Sequence, residues 1–142
     1  PIVAQRPRAE QEALEVYGRE LGLAFQLVDD ALDYGGMPEA TGKKTGDDFR
    51  EGKITLPVVL ALDAADDAER AFWTRVITEK SQDDADFDAA VELINRHGAL
   101  AGTLQAARGH ATTARDALSV FPNNPWSEAL SDLAEFVVER AY

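Results

Sequence analysis

The chain has 142 residues, of which 45% are hydrophobic and 28% are charged, a balance typical of one soluble globular domain with a buried core. Acidic residues outnumber basic ones 26 to 14, and the net charge of −12 argues against a broad surface for nucleic acid. No cysteine is present, which excludes disulfides and thiolate metal sites and favours a cytoplasmic location. No apolar run is long enough for a membrane span, so we do not expect a membrane-spanning protein.

The first predicted element is an amphipathic helix over residues 8–34, because apolar residues recur there at steps of three and four. These residues are Leu14, Tyr17, Leu21, Ala24, Val28 and Leu32, with Leu23 and Leu27 on the flank. At about 100° per residue, Gln26, Asp29 and Asp33 lie nearly opposite this stripe, with Asp30 just beyond them. We therefore expect the last three turns to be buried on most sides and the carboxylates to face an interior cleft.

Gly18 and Gly22 lie one turn apart on the same side of this helix as Asp29 and Asp33. Each glycine costs a helix interior about 1 kcal/mol relative to alanine, so a reason for both is expected. One interpretation is that they open space beside the aspartates. The other is close packing against a second helix.

Residues 35–56 are predicted to form a loop, since half of the ten glycines lie at 35–52 without an apolar period. Pro57 marks the start of a further helical region, 57–142. Within it we expect helices near 68–78, 87–97, 100–119 and 127–141. Asp84 or Asp86 is the expected cap of the second of these helices, and Gly98 its end.

Asp29, Asp30 and Asp33 place three like charges three and four residues apart, which opposes helix formation unless a cation neutralises them. Mg²⁺ prefers oxygen ligands and is usually held by one or two carboxylates together with substrate phosphates. A solvated or capping cluster is the alternative in so acidic a chain. The loop favours the metal site, because three of the four lysines, Lys43, Lys44 and Lys53, fall within a span of eleven residues just after the aspartates.

The segment from Phe25 to Pro57 resembles the second aspartate-rich motif of the trans-isoprenyl diphosphate synthases, or polyprenyl synthetases. That motif reads Phe-Gln-x-x-Asp-Asp-x-x-Asp, then Gly-Lys-x-x-Gly-x-Asp-x-x-x-Gly-Lys-x-Thr-x-Pro, and every fixed position is present. The intervening residues look most like the octaprenyl and decaprenyl diphosphate synthases. The resemblance implies an all-α fold, the carboxyl-terminal part of a helical bundle that condenses isopentenyl diphosphate with an allylic diphosphate.

The resemblance also implies roles for individual residues. Asp29, Asp30 and Asp33 belong to the metal and diphosphate site, and Asp48 matches the loop aspartate near the metal ions. The diphosphate-binding residues are Gln26, Lys43 and Lys53, with Lys43 also counted as catalytic. A Mg²⁺ cofactor and a homodimer in the full-length protein are implied as well.

The family's first aspartate-rich motif has no counterpart in this chain. The best substitute, the acidic run at 83–88, fails because Phe87 stands where the third aspartate belongs. The chain begins Pro-Ile-Val-Ala, which we interpret as an internal start. We therefore expect a carboxyl-terminal fragment with half of a metal-binding cleft and no synthase activity alone. The alternatives are a non-catalytic helical subunit or binding module of a heteromeric prenyl synthase, and an acidic face that serves only solubility.

Overall fold

A computed structural model of the chain describes residues 5–35, 46–83 and 85–140, and these ranges contain helices and no strand. The all-α prediction is confirmed. The helices are α1 (Arg8–Gly35), α2 (Asp47–Glu51), α3 (Leu56–Ala64), α4 (Asp67–Trp73), α5 (Asp86–Arg96), α6 (Ala99–Ala117) and α7 (Pro125–Glu139). A π-helical turn (Thr74–Thr78) continues α4, and a 3₁₀ turn (Leu118–Val120) follows α6. None of the described helices is long and apolar enough to cross a membrane.

The chain divides into two compact units, one of residues 1–28 with 105–142 and one of residues 29–104. In the first unit, Tyr17 of α1 is buried against Ala114, Leu118 and Ala134. The Tyr17 hydroxyl donates a hydrogen bond to the Leu130 carbonyl oxygen at 2.8 Å. A buried phenol thus gains a partner while its ring fills the core.

The second unit has the larger described core, built from α2 to α5 and from the ends of α1 and α6. Its fully buried side chains include Phe49, Val58, Trp73, Val76 and Ile94. Pro57 lies in the first turn of α3, where a missing backbone N–H costs the helix nothing. The predicted helix start at Pro57 is confirmed to within one residue, because α3 begins at Leu56.

The loop predicted for residues 35–56 is wrong in part, because 47–51 form the short helix α2. Five residues are too few to show an apolar period, so the sequence pattern did not reveal this helix. It exists because Phe49 is 1% exposed in the core and because Asp33 binds its first turn. The predicted positions Lys43 and Lys44 lie outside the described residues.

The apolar stripe of α1 is confirmed, since Tyr17, Ala24 and Val28 are buried. The expectation that its last three turns are buried on most sides is wrong at Leu23 and Phe25, which are 42% and 48% exposed. Phe25 is exposed because it lines an apolar groove of about 410 Å³ in the first unit. Its lining residues are Gly18, Leu21, Gly22, Phe25, Leu133, Phe136, Val137 and Arg140.

Gly18 and Gly22 line this groove of the first unit. A Cβ built on either glycine meets nothing within 4 Å, so no described residue of another helix packs closely on them. The open space at the glycines belongs to this groove, and the interpretation that it lies beside the aspartates stays a prediction.

The expected cap of α5 is also corrected. Asp84 lies outside the described residues, and Asp86 is the first residue of α5 and makes no cap. Instead the buried Asp86 carboxylate accepts two hydrogen bonds from the Arg75 guanidinium, at 2.6 and 2.8 Å. Because the Asp86 carboxylate is buried, it needs a countercharge, and Arg75 supplies it. Gly98 follows the end of α5 with φ of +64°, as predicted for the end of this helix.

Candidate functional site

Three aspartates of the motif lie near the end of α1, in the second unit. Asp30 is 7% exposed, and Asp29 and Asp33 are half-buried. All three are thus partly or wholly withdrawn from bulk water, where an ionised carboxylate requires partners. Gln26 lies earlier on α1, in the first unit, and its side chain is exposed.

Asp33 holds the first turn of α2 through its whole carboxylate. Its Oδ1 accepts a hydrogen bond from the Asp47 N–H at 3.2 Å, and its Oδ2 accepts one from the Asp48 N–H at 3.0 Å. The Asp33 carbonyl oxygen also accepts the Gly46 N–H at 2.9 Å. The Asp33 carboxylate therefore satisfies two orphan N–H donors of a helix start that lies 14 and 15 positions later in the chain.

Lys53 follows α2 in the chain, and its side chain contacts Asp48. Its Nζ contacts Asp48 Oδ1 and Glu51 Oε2, each at 2.8 Å. The hydrogen bonds that its ammonium group donates to Asp48 and Glu51 raise the pKa of Lys53 above its ordinary value. Lys53 is therefore charged at neutral pH and stays half-exposed to solvent.

Two glycines of the motif set the backbone of this segment. Gly46 precedes α2 with φ of +86°, and Gly52 follows it with φ of +71°. A Cβ on Gly46 would lie 2.6 Å from the Phe87 ring. Only glycine takes this left-handed conformation without cost while allowing so close an approach.

The electrostatics of Asp33 favour a cation nearby. Burial raises the pKa of the Asp33 carboxyl above its ordinary value, and the negative charge of Asp48 adds to the rise, while the backbone hydrogen bonds oppose it. A carboxylate with a raised pKa carries a charge that its surroundings do not fully compensate. Hard oxygen donors of this kind are the ligands that Mg²⁺ prefers, so the chemistry of these carboxylates suits a divalent cation.

The structure thus joins Asp33, Asp48 and Lys53 by direct contacts and places Asp29 and Asp30 in the same unit. It does not describe Lys43. Within the described ranges, no three His, Cys, Asp or Glu side chains converge on a position that could hold a metal ion by themselves.

The sequence interpretation missed two features of this site, the capping of α2 by Asp33 and the packing of Phe87 on Gly46. The acidic first turn Asp47-Asp48 and the isolated apolar Phe49 were the available signals for a short helix. No signal in the sequence indicated that Phe87 packs on this segment.

Comparison with known proteins shows the family of this chain. The family model for polyprenyl synthetase matches residues 2–94. The octaprenyl diphosphate synthase of Escherichia coli (strain K12) is 42% identical over 139 residues, which are 98% of this chain and 43% of that protein.

Two solved structures are similar over 99% of this chain and 43% of their own. A decaprenyl diphosphate synthase from Rhodobacter capsulatus has 50% identity and a TM-score of 0.92. A polyprenyl synthase from Caulobacter crescentus CB15, complexed with calcium and isoprenyl diphosphate, has 52% identity and a TM-score of 0.92. The chain spans less than half the length of these relatives. On the family match and on these identities, the chain belongs to the polyprenyl synthetase family.

Proposed function

We propose that the chain is the carboxyl-terminal part of a trans-polyprenyl diphosphate synthase, which condenses isopentenyl diphosphate with an allylic diphosphate. The observation that carries this proposal is the contact series from Asp33 through Asp48 to Lys53, next to Asp29 and Asp30 on α1. Carboxylates and an ammonium group in one place can bind both the metal and the anion of a metal diphosphate.

Asp29, Asp30, Asp33 and Asp48 are the residues that would hold Mg²⁺. Bound there, Mg²⁺ neutralises charge on the diphosphate leaving group. Calcium and an isoprenyl diphosphate in the Caulobacter crescentus structure support this choice, since calcium and magnesium both take oxygen ligands.

In this proposal Lys43 and Lys53 bind the diphosphate oxygens directly, and Gln26 is a further diphosphate-binding residue. Lys53 is suited to this task because Asp48 and Glu51 fix its ammonium group while leaving it half-exposed. An ammonium has three donors, so an incoming phosphate oxygen can replace one of these carboxylate contacts.

The product, assembly and location follow the same proposal. The relatives named octaprenyl and decaprenyl diphosphate synthase support a long-chain product. A homodimer of the longer polypeptide and a cytoplasmic location are part of the proposal too, the latter supported by the lack of cysteine.

An elongation assay tests the proposal. We expect the 142-residue chain, given Mg²⁺, an allylic primer and labelled isopentenyl diphosphate, to form no longer product, because half of the cleft is missing. A longer reading frame that adds an upstream D-D-x-x-D helix should elongate the primer and lose that activity in Asp29→Ala. Elongation by the chain alone contradicts the partial-site account, and a longer frame without the upstream motif favours the non-catalytic subunit.

A further inference from the structure

The first turn of α2 carries Asp48, and Lys53 follows α2 in the chain. Residues outside this helix contact its first turn from two sides. On one side, both oxygens of the Asp33 carboxylate accept N–H groups of Asp47 and Asp48. On the other side, the Phe87 ring of α5 covers Gly46 so closely that no Cβ fits between them. The first contact is polar and the second is apolar, and they act on adjacent residues of the chain.

Phe87 contacts several parts of this segment with one ring. Its centroid lies 5.7 Å from that of Phe49 and 6.2 Å from that of Tyr34. The Arg50 guanidinium carbon lies 5.5 Å from the same centroid. Aromatic pairs and cation–π contacts of this geometry stabilise a defined arrangement beyond the area that they bury. Phe87 therefore links the end of α1 to α2.

The position of the first turn of α2 determines where Lys53 lies. The Lys53 N–H donates to the Asp48 carbonyl oxygen at 2.9 Å, and its Nζ contacts the Asp48 carboxylate. Both groups of Lys53 are thus bound to the residue whose own N–H Asp33 accepts. Movement of the first turn of α2 would move Asp48 and, with it, the ammonium.

We propose that Asp33 and Phe87 are positioning residues that fix the Asp48–Lys53 ion pair by holding the first turn of α2 between them. Asp33 then contributes to the site through its contacts with α2 in addition to the negative charge that it shares with Asp29 and Asp30. The inference rests on the proposed function in one respect, since the ion pair matters to catalysis only where Lys53 receives a diphosphate. Phe87 belongs to this site although it lies outside the motif of residues 25–57.

The test uses the 142-residue chain without metal or diphosphate. Amide hydrogen exchange of Asp47 and Asp48 reports how stable the first turn of α2 is. The NMR scalar coupling between Lys53 ¹⁵Nζ and Asp48 ¹³Cγ reports the ion pair.

In Asp33→Ala we expect exchange to become about tenfold faster, the effect of losing a helix cap, and the coupling to disappear. Asp33→Asn should restore most of the coupling because its side-chain oxygen still accepts one N–H. In Phe87→Leu the coupling should weaken while the core stays apolar.

Asp66→Ala is the matched control. Asp66 caps α4 in the same way, since its carboxylate accepts the Glu69 N–H at 2.9 Å, so its loss should destabilise the protein without changing the Lys53 coupling. The inference is overturned if the coupling survives in both Asp33→Ala and Phe87→Leu, or if Asp66→Ala removes it equally.

A subsequent titration with inorganic pyrophosphate and Mg²⁺ separates the two proposals. If the wild type fails to bind while the coupling changes as expected, the proposed function is wrong and the positioning roles stand.

Discussion

At the residue scale, Gly46 makes the most specific demand of the described glycines. Its φ of +86° and the 2.6 Å approach of Phe87 to a Cβ position leave no room for another side chain. We expect Gly46→Ala to lower the free energy of unfolding by about 1–3 kcal/mol, from backbone strain and displacement of the ring. Urea denaturation measures this loss.

Gly109→Ala is the control for that substitution. Gly109 lies inside α6 and a Cβ there meets nothing within 4 Å, so alanine should raise the free energy of unfolding by about 0.5–1 kcal/mol. Equal stability of the Gly46 variant and the wild type would show that the turn before α2 relaxes without cost.

The Arg75–Asp86 pair determines a second outcome at this scale. The Arg75 guanidinium lowers the pKa of the Asp86 carboxyl to about 2. Because the folded pKa lies below the ordinary unfolded value, the pair stabilises the protein above about pH 4. That stabilisation is lost as the pH falls towards 2.

We therefore expect Arg75→Met to lower the melting temperature at pH 7 and to raise the pKa of Asp86. Calorimetry measures the melting temperature, and NMR titration measures the pKa. Arg115→Met, which removes an exposed guanidinium of α6 that contacts Ser131, serves as the control and should leave Asp86 unchanged. An Asp86 pKa that stays near 2 in Arg75→Met would show that other groups lower it.

At the element scale, α7 depends on its first turn. The Asn124 side-chain oxygen accepts the N–H groups of Trp126 and Ser127, and the Ser127 hydroxyl oxygen accepts the Asn124 N–H. We expect Asn124→Ala to destabilise the protein by about 1 kcal/mol, the usual value of an N-cap. Thermal unfolding followed by circular dichroism measures it, with the exposed neighbour in Asn123→Ala as the control. Identical melting of the two variants would contradict the role of this cap.

The long helices could be predicted from the sequence because each shows its apolar period over several turns. Residues 8–34 were predicted as a helix, and α1 covers Arg8–Gly35. The short α2 could not be predicted in this way, because its stability comes from Asp33 and Phe87, which are distant in sequence. The exposure of Leu23 and Phe25 was missed for a related reason, since a period identifies an apolar face and not the element that covers it.

The motif residues were identified by the fixed spacing of the family pattern, and the family assignment is confirmed. Their contacts could not be derived from spacing alone. Nothing in the sequence indicates that both oxygens of Asp33 are hydrogen-bonded to α2, or that Lys53 contacts Asp48 as well as Glu51. The metal and diphosphate roles of these residues remain a proposal.

At the scale of the whole molecule, the net charge of −12 repels a diphosphate at long range. Lysine is scarce, and three of the four lysines lie at positions 43–53 of the sequence, after the aspartates at 29–33. Since Lys53 contacts the carboxylates of Asp48 and Glu51, anion binding should depend on a divalent cation that offsets the local negative charge.

Calorimetric titration with inorganic pyrophosphate, with and without Mg²⁺, tests this central claim most directly. We expect the wild-type chain to bind pyrophosphate only with Mg²⁺, and Asp30→Asn and Lys53→Gln each to weaken binding at least about tenfold, as for loss of one charged contact. Asp67→Asn and Arg8→Gln change exposed residues outside the motif of residues 25–57 and should leave the affinity unchanged. Binding that needs no Mg²⁺, or that Asp30→Asn and Lys53→Gln leave intact, would contradict the account.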